Sequence, residues 1–382
     1  MRSVRGSHHE ILEAFSLKDD GKKLDVFLMQ NLTHLTKTQL TDELLTLGEK
    51  PFRAKQIWNW LYVRGATEFA QMSDISKELR EKLLQNYSIT RPTVSKDIIS
   101  FDGTRKFLVK FFDGREVEAV FIPEESRGTL CISSQVGCTL ACKFCHTGTQ
   151  TLVRNLEFHE IAAQVLIAKD LLVDWKKEGR QLTHIVFMGM GEPFFNYENV
   201  VKAVEILSDA DGLDFSRRKI TVSTSGLVPE ILRASNELKT NLAISLHATN
   251  DALRTDIMAI NKKYPLAELL AACKNYNQEN KNQKITFEYV MLKDVNDQES
   301  HAAELVKLIK KFNLNVKINL IPFNPWDGCG YGRSGDEQIA KFQRILKDAE
   351  LISPIRKTRG DDVLAACGQL KSLSQREKKW IK

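Results

Sequence analysis

The chain has 382 residues, 42% hydrophobic and 27% charged, with a formal net charge of +6. This is ordinary globular composition without an apolar run long enough to span a bilayer, which excludes a membrane-spanning helical protein. Seven cysteines make a sparse and odd count, which argues against a disulfide framework. The mild basicity permits an RNA partner without requiring one.

Residues 1–25 read as a loose polar extension. The stretch Met1–Glu10 has no apolar h-region of a secretory signal, so a reducing cytoplasm is the expected location. Residues 26–97 read as a small helical accessory domain. Leu40, Leu44, Leu45 and Leu47 form an apolar stripe closed by Gly48, a suitable helix C-terminus. The run Pro51–Tyr62 mixes Arg53 and Lys55 with Trp58, Trp60 and Tyr62, and Lys50 and Arg64 flank it. Such interleaving serves nucleic-acid binding by charge and stacking. It equally describes an amphipathic helix with Trp58 and Leu61 in its core. Residues 98–127 read as a β extension, alternating like antiparallel strands, with Asp102-Gly103 and Asp113-Gly114 as turns.

From residue 128 to 355 short β-rich runs alternate with helical stretches. The strands are expected at Thr129–Ser134, His184–Met188, Lys219–Ser223, Asn241–His247, Ile285–Leu292 and Val316–Ile321. The helices are expected at Glu157–Lys177, Asn199–Leu207, Pro229–Asn236, Leu266–Tyr276, Ser300–Phe312 and Gln338–Asp348. Six strand–helix units predict an α/β domain with a parallel sheet, too short to close the eight-fold barrel. A partial (β/α)6 barrel follows, its active site at the C-terminal ends of the strands. Residues 356–382 form a C-terminal segment. Its basic stretches, Arg356–Arg359 and Arg376–Trp380, suit phosphate contact or a solvated tail.

The strand ends gather polar residues and glycines: Gly189-Met-Gly191-Glu192-Pro193, Ser223-Thr-Ser225-Gly226, Ser245-Leu246-His247 and Pro322-Phe-Asn324-Pro325. The first strand runs into Cys138-x3-Cys142-x2-Cys145. Three thiolates on a centre that prefers four ligands leave one position open for chemistry. This spacing suits three irons of a cubane iron–sulfur cluster. A zinc ion with His146 as fourth ligand is the competing reading.

The cysteine spacing, the partial barrel and the Gly-Met-Gly-Glu-Pro strand end resemble radical S-adenosylmethionine (SAM) enzymes. Cys131–Cys138, Arg154-Asn-Leu156 and Arg359-Gly-Asp-Asp-Val-Leu-Ala-Ala-Cys367-Gly-Gln369 narrow the resemblance to the RlmN family of RNA adenine C2 methyltransferases. One departure is Ala259, where relatives are expected to carry proline.

The resemblance implies that Cys138, Cys142 and Cys145 hold a 4Fe–4S cluster whose fourth iron is chelated by SAM. It implies that Gly191, Glu192, Ser223, Ser245, Leu246, His247 and Asn324 bind SAM. The family mechanism uses two SAM molecules per turnover. The first methylates Cys367. The second, cleaved by an electron from the cluster, yields a 5′-deoxyadenosyl radical that takes hydrogen from that methyl group. The resulting carbon radical adds to C2 of the adenine, tying RNA to protein. Glu118 then removes the C2 proton. Cys131 finally attacks the Cys367 sulfur, forming a transient disulfide and releasing methylated RNA.

Read without the resemblance, Glu118 is a solvent-facing acid on an amphipathic strand, Cys131 a buried strand cysteine, and Cys367 a helix residue packed beside Ala365 and Ala366. The implied partners are 23S rRNA and tRNA, with a reductase or flavodoxin-type electron donor, no membrane and a monomeric state. A sister activity that methylates C8 of the same rRNA adenine shares the cysteines. Cys273 is expected in a helix core, and Cys329 in a glycine-rich loop without an assigned role.

Overall fold

The computed structural model describes residues 29–176, 178–281 and 284–374. The expected polar extension, residues 1–25, and the basic stretch Arg376–Trp380 lie outside the described residues.

The N-terminal part is helical, as its patterning predicts. Helices α1 (Lys37–Thr46), α2 (Phe52–Tyr62) and α3 (Lys77–Asn86) follow a short strand β1 (Gln30–Asn31), which pairs with β2 (Tyr87–Ser88). A capping box at Thr36 and Gln39 starts α1, and Gly48 ends its C-terminal turn at φ 78°. Leu40 and Leu44 are buried, whereas Leu45 of the expected stripe points to solvent at 50% exposure. Trp58 and Leu61 are buried, so the aromatic residues of α2 serve the core first.

Nine strands then build one sheet. Six are parallel: β6 (Arg127–Cys131), β9 (His184–Phe187), β10 (Ile220–Thr224), β11 (Asn241–Ser245), β12 (Ile285–Met291) and β13 (Val316–Pro322). They stand in sequence order, and β6 and β13 do not pair, so the barrel stays open. The crossover helices include α4 (Phe158–Leu172), α5 (Tyr197–Ser208), α6 (Val228–Glu237), α7 (Asp251–Ile257), α8 (Leu266–Glu279) and α9 (Glu299–Phe312); α10 (Asp336–Asp348) follows β13. The expected helices are present with small boundary shifts. The first crossover helix stops at Leu172 rather than Lys177 because Val173 adopts a left-handed cap at φ 53°. Helix α7, capped by Asn250, was not expected.

The β extension is continuous with this sheet. Strands β3 (Thr93–Ile99), β4 (Arg105–Lys110) and β5 (Glu116–Glu124) pair antiparallel in succession, and β5 pairs antiparallel with β6. A hairpin of β7 (Gln135–Val136) and β8 (Arg154–Asn155) brackets the cysteine loop. The core is contiguous from the helical part through the barrel.

Candidate active site

The C-terminal ends of the parallel strands open into a pocket with about 1030 Å³ of free space, part of it open to solvent. Cys138, Cys142 and Cys145 form one wall, and Cys367 and Gly368 line the same pocket. Gly191, Glu192, Ser223, Ser245 and His247 line it as expected. Leu246, Asn324, Cys131 and Glu118 are not among the lining residues. Leu246 is fully buried and offers its carbonyl inward to Arg254, and Asn324 accepts from the Thr358 hydroxyl (3.1 Å).

The loop Gly189–Pro193 shows why glycine is needed. A Cβ on Gly189 would lie 2.7 Å from the Ile132 carbonyl oxygen, and one on Gly191, at φ 98°, would lie 2.5 Å from Gln135 Cβ. The backbone therefore passes close against the loop that carries the cysteines. Glu192 is almost fully buried. Its carboxylate accepts from the Phe194 N–H (3.0 Å) and the Ser225 N–H (2.8 Å), tying the β9 end to the β10 end. Burial raises its pKa.

His247 sits at φ 57°, a strained conformation for histidine. Its Nδ1 accepts from the Val290 N–H (3.0 Å), which puts the ring proton on Nε2. Burial lowers its pKa to about 3, so the ring is neutral.

Sequence reasoning missed Arg254. It is fully buried on α7 and donates to the carbonyls of Leu246 (3.1 Å), Ser245 (3.0 Å) and Ser225 (2.6 Å) and to Asn261 Oδ1 (2.9 Å). One guanidinium thus holds two strand ends of the pocket. The signal that could have found it is Asn250-Asp251 as a helix start directly after the Ser-Leu-His strand end.

The three thiols test the two metal readings. Among the described residues no three or more His, Cys, Asp or Glu side chains are arranged to hold a single metal ion. The donors of a cubane cluster each hold a different iron, so they stand farther apart than ligands of one ion. The thiols nonetheless feel one another: burial raises the Cys142 pKa first, then Cys145 and Cys138. Burial pushes Cys138 to about 12. Binding a metal centre favours the thiolate form of such thiols. His146 is spent elsewhere. It stacks on Trp326 with ring centroids 4.7 Å apart, and its Nδ1 lies 3.2 Å from the Gln369 carbonyl oxygen. The donor set fits a cluster held by three cysteines.

The C-terminal segment is locked onto the β extension. Arg359 reaches Asp102 (3.7 Å), the Gly360 N–H donates to Asp102 Oδ2 (3.2 Å), and the Ser100 hydroxyl donates to Asp362 Oδ1. The His146 N–H donates to the Gly368 carbonyl (2.7 Å), joining the cysteine loop to the residue after Cys367. Cys367 lies in this irregular segment, not in the helix expected from its alanine neighbours. Cys131, at the end of β6, lies close enough to Cys367 that the two thiols interact electrostatically. Arg356 faces Cys367, Glu288 and Cys131 rather than projecting as a solvated tail.

Glu118 departs most from its sequence-only reading. It is buried at 5% exposure, with Lys106 Nζ 3.1 Å from Oε1 and the Lys371 N–H donating to Oε2 at 3.0 Å. Burial raises its pKa, opposed mainly by Lys106. Arg154 pairs with Asp113 and with Glu160, anchoring the hairpin. Cys273 is buried in α8 as expected, and Cys329 is partly buried outside the pocket lining. Ala259 lies exposed in a short turn.

An open parallel barrel with three thiols at the mouth defines a radical SAM enzyme, and residues 132–306 match the Radical SAM superfamily model. Residues 30–89 match the ribosomal RNA large subunit methyltransferase N-terminal domain. The chain is 53% identical over 351 residues to the dual-specificity RNA methyltransferase RlmN of Rhodospirillum rubrum, covering 91% of this chain and 82% of that one. It is 55% identical over 343 residues to the RlmN of Sinorhizobium fredii, covering 86% and 83%. A solved radical SAM methyltransferase from Sphaerobacter thermophilus superposes with TM-score 0.83 at 41% identity, covering 89% of this chain and 99% of that one. The chain belongs to the RlmN family of RNA methyltransferases, and its cofactors are a 4Fe–4S cluster and SAM. No helix among the described residues is long and apolar enough to cross a membrane.

Proposed function

We propose that the chain methylates C2 of an adenine in RNA, in 23S rRNA and in tRNA, using Cys367 as a covalent methyl carrier. The supporting observation is that Cys367 lines the same pocket as the three cysteine thiols and lies near Cys131. C2 lies between two ring nitrogens and is too electron-poor to attack a sulfonium methyl directly. A carbon radical carried on a protein sulfur adds to it instead.

Cys138, Cys142 and Cys145 would hold the cluster. Gly191, Glu192, Ser223, Ser245, Leu246, His247 and Asn324 would form the SAM site, some through side chains and others through backbone. Bound together, the cluster and SAM supply a carbon-centred radical. Leu246 and Asn324 would act from outside the lining, and Glu192 holds the loop in shape. The protein's own residues do the remaining work. The strand ends position the cofactor, and the C-terminal segment presents the Cys367 sulfur. Glu118 accepts the C2 proton, which requires its carboxylate form; Lys106 favours that form. The adduct must also give up one electron, which the cluster would accept. Cys131, as the thiolate, then forms the S–S bond to Cys367, and the electron pair of the broken S–C bond stays on the adenine-bound carbon, which takes up a proton to become the methyl group. The Cys131 pKa lies near 12, raised by burial and then by Cys367, so this attack needs a proton acceptor nearby. The target base enters unpaired or pulled from its stack.

A reducing cytoplasm, a reductase or flavodoxin-type electron donor and a monomeric state complete the reading. The deciding experiment digests RNA methylated by the reconstituted protein and fragments the modified nucleoside by mass spectrometry. The expected product is 2-methyladenosine. An 8-methyladenosine product would replace this reading with the sister activity.

A further inference from the structure

Several buried side-chain nitrogen and oxygen atoms lack a hydrogen-bond partner among the described residues, and only Glu288 Oε2 belongs to a residue lining the pocket. Glu288 is 5% exposed and lies on β12. Its other oxygen, Oε1, accepts from the Asn319 side-chain amide on β13 at 3.0 Å. In strand register it stands between Ser245 and Asn319, which makes a polar layer across three adjacent strands. A buried carboxyl oxygen without a partner is costly in either protonation state. An unmet oxygen on a residue that lines a ligand cavity calls for a bound donor.

The strand order says which part of a ligand reaches it. The cysteine loop follows β6 and Glu192 follows β9, whereas Glu288 stands on β12, three strands beyond β9. Glu192 and the thiols therefore flank one side of the pocket, and Glu288 stands on the other. A SAM molecule whose amino-acid end lies by the thiols turns its nucleoside toward Glu288. The apolar side chains of Val290, Ile321 and Phe323 line the adjoining wall, which suits the adenine ring. The hydroxyl donors then remaining on the nucleoside are those of the ribose.

We propose that Glu288 is a SAM-binding residue, its Oε2 accepting a hydrogen bond from a ribose hydroxyl. This rests on the SAM site described under the proposed function.

The test is equilibrium binding to the cluster-reconstituted enzyme, measured with SAM, 5′-deoxyadenosine, 2′,5′-dideoxyadenosine and 3′,5′-dideoxyadenosine. The wild type is expected to bind 5′-deoxyadenosine about tenfold more tightly than one of the two dideoxy compounds, the usual worth of a hydrogen bond to a carboxylate. Glu288→Leu, similar in size, is expected to bind SAM about tenfold more weakly and to lose that discrimination. Glu288→Gln, which keeps an acceptor oxygen, is expected to keep part of it. Cluster absorbance and circular dichroism matching the wild type establish that the variants are folded. A Glu288→Leu enzyme with undiminished discrimination, or a wild type that binds all three nucleosides equally, overturns the assignment. A wild type that binds no SAM at all overturns the SAM site itself.

Discussion

At the scale of single residues, Glu118 shows how position converts an ordinary acid into a candidate base. Burial raises its pKa, and Lys106 pulls it back. A base must be ionised, so its step slows as pH falls through the raised value. Lys106→Met removes the opposing charge and should move the acid limb of adduct breakdown upward by about one pH unit. Single-turnover release of methylated RNA as a function of pH measures this. An unmoved acid limb would separate Glu118 from the proton step. Arg254 makes a structural prediction. Arg254→Leu leaves three carbonyls and Asn261 Oδ1 without their donor. The expected cost is at least about 3 kcal/mol, read as a fall in thermal midpoint with loss of SAM binding. An unchanged midpoint would mean that water replaces the guanidinium.

At the scale of elements, the β9 end depends on close backbone approach. Gly191→Ala places a Cβ in a left-handed conformation and against Gln135. The conformation alone costs about 1–2 kcal/mol. Weaker SAM binding is expected with the cluster absorbance retained, because the cysteines sit on a different loop. Loss of the cluster instead would show that the two loops fold as one unit.

The regular elements were legible because parallel strands buried on both faces and amphipathic crossover helices repeat a strong rhythm. The strand ends followed from the general rule for α/β folds. The segment around Cys367 was not legible in this way. Ala365-Ala366 has good helix propensity, but contacts from Asp102, Ser100 and His146 hold it irregular. The burial of Glu118 was hidden for a similar reason. The alternation of β5 does not show which face is covered, and the docked C-terminal segment helps bury Glu118. Lys106 and Arg254 come from other elements, and their meeting with the site depends on register and helix packing.

At the scale of the whole molecule, the helical N-terminal part is bound to the barrel by charge and by close fit. Lys37 pairs with Asp209 (3.1 Å) and Asp211 (2.7 Å), and Arg91 pairs with Asp170 while its guanidinium lies over Trp175. Gly65, at φ 70°, lies directly against the Trp175 ring, where a Cβ would come within 2.3 Å. Gly65→Ala should therefore loosen this interface. The expected result is faster hydrogen exchange in α2 with unchanged cluster absorbance. Equal exchange in the variant would show that Trp175 simply moves aside.

The same scale brings together residues far apart in sequence. Three thiols in a loop and Cys367 in the C-terminal segment line one pocket, and Cys131, at the end of a strand, lies near Cys367. The central claim is that the methyl group travels on Cys367 and that Cys131 releases it. The direct measurement is mass spectrometry of Cys131→Ala protein after turnover with RNA and SAM. A covalent RNA adduct on the peptide containing Cys367 is expected to accumulate. Normal turnover with no adduct would contradict the account.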